Sequence, residues 1–75
     1  LSHIPEMTAV HIDAIQTDTP TRIRLLGMGL GRGTVLEVLR NRYGDMVLGM
    51  GNNRISLGRS ITAEILVTTR RLSYV

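Results

Sequence analysis

Glycine occupies every second position from Gly27 to Gly33 in the stretch TRIRLLGMGLGRGT, Thr21 to Thr34. No regular element runs through such a segment, because each glycine gives up more backbone entropy than any other residue and offers no side chain to pack. The chain must stop one element and begin another here. Such a loop either cradles a phosphate or turns a helix exit into the next strand.

The phosphate reading fails on inventory and on topology. Counted from Gly29, the fingerprint G-x-G-x-x-G needs a third glycine where Thr34 stands; counted from Gly27, it meets Arg32. A P-loop needs a Gly-Lys pair, and the chain has no Lys. Upstream, TDTPT followed by an apolar rhythm reads as a helix start, with Thr19 as cap and Pro20 at the first position. The glycines therefore follow a helix C-terminus, whose partial charge is negative and repels anions.

The expected helix runs to about Met28, with Ile23, Leu26 and Leu30 as its core stripe, widened by Leu25 and Met28. Gly29 is placed as a left-handed cap, and Gly31 and Gly33 as the turn into a strand. Before the helix, AVHIDAI alternates Val10, Ile12 and Ala14 with His11 and Asp13, the period of a half-buried strand. After it, TVLEVLRNRY reads as a second strand ending at the turn Tyr43-Gly44-Asp45.

MVLGM and RISLG, joined across Gly51-Asn52-Asn53, predict an antiparallel hairpin, and Gly49 marks a bulge or strong bend in its first strand. Ser60 is expected to cap a short helical turn that packs through Ala63, before a last strand carrying Ile65 and Val67. These elements predict a mainly β fold: a small barrel of about five strands. One short helix lies between the first two strands and a helical turn before the last, because closure removes exposed edges. At 75 residues with 43% hydrophobic content the chain suits one domain over 1–75, with 1–8 and 70–75 as peripheral tails.

The absence of Cys excludes disulfides, thiolate nucleophiles and iron–sulfur clusters. Nine arginines against six acids give a net charge of +3, which invites a nucleic-acid reading. The arginines are dispersed, with Arg70-Arg71 the one adjacent pair, and Tyr43 and Tyr74 are the only aromatics. Stacking platforms for RNA, and an aromatic groove for proline-rich peptides, are both missing. No nucleic-acid partner is expected.

His3 and His11 have no Ser, Asp or Glu at a triad spacing, so no catalytic site is expected. His11 and Asp13 share a strand face, with Glu6 or His3 as a third ligand for a metal corner; solvent-facing alternation explains the same pair. The four methionines are scattered, which suits gap filling better than thioether ligation. No metal site and no cofactor are assigned.

With these segments in place, RIRLLGMGLGRGTVLEVL resembles the signature of the FeoA family, small cytoplasmic proteins of bacterial ferrous iron uptake. RISLGRSITAEILV resembles that family's later signature, so the two segments lie between Arg22 and Val67. Arg32 and Met46 stand where the family often has proline. The resemblance implies an SH3-like barrel, a fold shared with the C-terminal domain of iron-dependent DtxR-type repressors. It further implies a cytoplasmic, non-enzymatic accessory role at the GTPase portion of a FeoB-type permease. On that reading the helix and its exit, Leu26, Met28 and Arg32, joined by Met50 and Arg54 from the hairpin, are the partner-binding candidates. The alternatives are a detached regulatory domain of a DtxR-type repressor and, further off, a small-barrel RNA binder; self-association is open to either barrel.

Overall fold

The structure, a computed structural model, describes residues 1–69. Arg70, Arg71 and Tyr74, singled out above, lie outside the described residues. Along the chain come β1 (Ala9–Ile15), α1 (Thr19–Gly27), β2 (Val35–Arg42), β3 (Asp45–Met50), β4 (Asn53–Leu57), α2 (Arg59–Thr62) and β5 (Ile65–Thr69). All pairings are antiparallel, in the order β4-β3-β2-β1-β5. This is the mainly β, small SH3-like barrel that the strand pattern predicts.

The inward set follows from the strand period. Val10 and Ile12 of β1, Leu36 and Val38 of β2, Met46 and Leu48 of β3, Leu57 of β4 and Ile65 of β5 are all buried. Leu25 and Leu30, from the helix and its exit, complete the same cluster. Full burial of a side chain of this size stabilises by about 1.5–3 kcal/mol, which makes this one cluster the main source of stability.

Two bulges curl the sheet. In β1 the register slips at Asp13, between the pairs Ile12–Val67 and Ala14–Leu66. In β2 it slips at Leu39, between Val38–Leu48 and Arg40–Val47. An extra residue on one strand bends it and increases its twist, which closes a short sheet over one core. The expected bulge at Gly49 is thus corrected: the extra residue lies across the ladder in β2, and Gly49 supplies the space that Leu39 fills, 3.3 Å from where its Cβ would stand.

The β2–β3 connection is Tyr43-Gly44, both at positive φ (54° and 95°), as a type I′ turn requires. The β3–β4 connection is Gly51-Asn52, between the paired Met50 and Asn53. Around the first turn, α2 departs from expectation. Its cap is Gly58 and not Ser60, and the buried residue is Thr62, while Ala63 is exposed. The Thr62 hydroxyl donates to the Gly44 carbonyl at 2.6 Å, so a hydrogen bond to the turn holds this segment where an apolar contact was expected.

Residues 1–8, expected at the periphery, lie along the barrel with Leu1 and Ile4 half-buried against the core. Asn41 holds them. Its side-chain amide donates to the carbonyls of Ser2 (3.1 Å) and Ile4 (2.8 Å), and its amide oxygen accepts from the Gly44 N–H at 2.8 Å.

Candidate functional site

The surface expected to meet a partner is built from the end of α1 outward. Asp18 caps the helix, accepting from the Thr21 N–H at 3.4 Å, so the cap lies one residue before the expected Thr19. Hydrogen bonding from Thr21, from its side chain first and its backbone N–H second, holds the Asp18 carboxyl below its ordinary pKa. At the other end the Gly29 N–H donates to Leu26 and the Leu30 N–H to Leu25, both at 2.9 Å, with Gly29 at φ 90°. This pair of bonds is the Schellman arrangement, in which the residue after the glycine packs back on the helix.

That geometry corrects the expected stripe. The helix stops at Gly27 and the chain reverses at Gly29, so the count from Ile23 to Leu30 crosses the helix end and no longer marks one face. Leu30 folds back beside Leu25, and these two enter the core. Ile23 (63% exposed), Leu26 (54%) and Met28 (39%) are left open to solvent around the end of the helix. Apolar side chains left open beside an arginine-bearing loop make this helix end a candidate contact surface.

Thr34, the residue that breaks the dinucleotide fingerprint, organises the glycine loop. Its hydroxyl accepts from the Gly31 N–H and donates to the Gly29 carbonyl, each at 3.1 Å. The flanking backbone is tied into β1 by the Gly33 N–H to Ile12 (2.7 Å) and the Ile12 N–H to Thr34 (2.9 Å). The N–H groups of Gly31 and Gly33 are therefore bonded within the protein, and the Arg32 side chain of the loop and Leu26 of α1 are exposed.

Leu26 lies against Gly31, its Cδ2 3.1 Å from where a Cβ would stand, and shares a shallow recess with Asp13, Ala14, Ile15, Arg22 and Arg32. Met50 reaches the same helix exit from β3, with its methyl 3.1 Å from the corresponding position at Gly29. Leu26, Met28, Arg32 and Met50 are thus gathered about the exit of α1. Arg54 is not with them. It pairs with Gly49, whose neighbour on β2 is Glu37, so it stands on the opposite sheet face from Met50 and lines a different recess.

His11 and Asp13 do meet, Nε2 to Oδ1 at 3.2 Å, and the Thr68 hydroxyl donates to Asp13 as well. Glu6 is turned to the Asn41 N–H at 2.9 Å, and His3 lines a recess with Tyr43 and Arg59. Among the described residues no three His, Asp or Glu side chains come together as a metal-binding group. No helix among them is long and apolar enough to cross a membrane.

The family model for the FeoA domain matches residues 1–69. A relative from Methanocaldococcus jannaschii, assigned as Fe(2+) transport protein A, is 34% identical over 44 residues. That match covers 59% of this chain and 54% of the relative, about half its length. Two solved structures share the fold. One, described as an iron uptake regulatory protein (FeoA), has a TM-score of 0.82 at 22% identity, covering 93% of each chain. The other, FeoA from Chlorobium tepidum, has a TM-score of 0.84 at 23% identity, covering 97% of this chain and 71% of that one.

Proposed function

The chain belongs to the FeoA domain family, and on that premise we propose that it is a non-enzymatic accessory protein of ferrous iron uptake, acting in the cytoplasm as one domain on the GTPase portion of a FeoB-type permease. The iron assignment is supported by the names of the Methanocaldococcus relative and the structural neighbours. The mode of action rests on one observation: α1 commits only Leu25 to the core and leaves Ile23, Leu26 and Met28 open beside an arginine-bearing loop. A helix packed this way serves as a contact element, because its apolar area is available for burial against another protein.

The contact surface comprises Leu26, Met28, Arg32 and Met50, while Arg54 belongs to the opposite face. The test is a pull-down with the purified cytoplasmic domain of the permease. Wild type should be retained, and Met28→Asp and Arg32→Glu should each reduce retention; an unbound wild type, or equal retention of all three, sinks the proposal.

A further inference from the structure

The recess at the helix exit has an unbalanced charge. Arg22 and Arg32 line it together with Leu26, and neither forms an ion pair among the described residues. Asp13, the one carboxylate in the lining, and Asp18 of the helix cap are already engaged, so the lining carries two cations against one anion. Asp13 accepts from Thr68 and pairs with His11, and Asp18 is taken up by the Thr21 N–H and the Thr17 hydroxyl. Arg22 is steered by a bond from its guanidinium to the Thr17 carbonyl at 3.4 Å, which uses one of its five donors. Two guanidinium groups with unspent donors thus share one recess with the apolar Ala14, Ile15 and Leu26.

We infer that this recess receives a partner segment that carries two carboxylates about an apolar side chain, with Arg22 and Arg32 each taking a carboxylate and Leu26 the apolar group. The inference deepens the permease reading and rests on it for the partner's identity. Guanidinium groups bind carboxylates through paired, charge-assisted hydrogen bonds, and these discriminate against neutral or basic segments. Leu26 supplies apolar area, while the arginines select the partner and set the salt dependence of association.

The test has two arms, with Arg22→Glu/Arg32→Glu set against Arg40→Glu/Arg42→Glu, a pair on β2 that changes net charge equally. Circular dichroism verifies the fold of each. In the first arm, binding to the permease cytoplasmic domain is measured by calorimetry. Reversal at Arg22 and Arg32 should weaken it about tenfold or more, reversal on β2 less than about threefold, and raising NaCl from about 50 to about 500 mM should weaken wild type similarly to the first reversal.

In the second arm, two labelled peptides of about ten residues, one alternating Leu and Glu and the other Leu and Lys, are titrated by anisotropy. The acidic peptide should bind wild type, lose binding in the first reversal and keep it in the second. Failure of wild type to bind the permease domain overturns the permease reading, while the peptide arm still judges the recess. Equal weakening by both reversals, salt-insensitive binding, or equal affinity for the two peptides overturns the acidic-segment inference and leaves the permease reading standing.

Discussion

The side chain of Leu39 lies over Gly49, with its Cδ1 3.3 Å and its Cγ 3.5 Å from where a Cβ on that glycine would stand. The extra residue of the β2 bulge is therefore accommodated by the missing side chain of β3, and the curvature of the sheet depends on that pairing. Gly49→Val should destabilise the protein by about 1–3 kcal/mol through overpacking. Adding Leu39→Ala should recover about 1 kcal/mol of the loss, since the two changes act on one space. Denaturant unfolding of the four proteins in the cycle measures this; strictly additive losses would refute the coupling.

Thr62 is a fully buried polar residue whose hydroxyl donates to Gly44 in the β2–β3 turn. Thr62→Val keeps the shape and removes the donor, leaving the carbonyl of Gly44 without this hydrogen bond, so the midpoint of unfolding should fall by an amount worth about 1–3 kcal/mol. Thr62→Ser, which retains the donor, should lose less. A valine variant as stable as wild type would show that the bond carries nothing.

Much of this architecture was legible in the residues. The alternation of Val10 and Ile12, the turn at Tyr43-Gly44 and the cap at Gly29 are local signals, set by period and by the positive φ that glycine takes freely. What was illegible depends on residues distant in sequence. Asn41 contacts Ser2 and Ile4 across the fold, and Thr62 contacts Gly44; neither carries a motif.

The candidate site was half legible for the same reason. Leu26, Met28 and Arg32 were singled out and sit together because they are close in sequence. The outward turn of Ile23 and Leu26 follows from the Schellman reversal, which brings Leu30 beside Leu25 and overrides helical counting. Arg54 was misplaced because strand pairing, and not sequence distance from Met50, decides its face.

Asp18 titrates against its own cap. The bonds from Thr21 lower its folded pKa, so the cap stabilises the fold above the ordinary carboxylate range and that contribution is lost as pH falls through the folded value. Asp18→Asn retains an accepting oxygen but does not titrate. The stability advantage of wild type over this variant should therefore shrink as pH is lowered from neutrality into the acid range. Thermal melts at a series of pH values follow it, and a constant difference would exclude the cap as the titrating element.

Leu25 and Leu26 are neighbours in sequence with opposite duties, and that separates folding from partner contact. Leu25 is 1% exposed and sits in the core, so Leu25→Ala should cost about 2–5 kcal/mol by transfer and cavity terms. Leu26 touches only the edge of the glycine loop and is largely open, so Leu26→Glu should cost less than about 1 kcal/mol, part of it from a carboxylate near the helix C-terminus. The same substitution places a carboxylate in the recess that Arg22 and Arg32 line, where it competes for their donors and repels an acidic segment. Leu26→Glu should thus melt close to wild type yet fail to retain the permease cytoplasmic domain. A variant that unfolds with the severity of Leu25→Ala, or binds as wild type does, would place Leu26 in the core or off the contact surface.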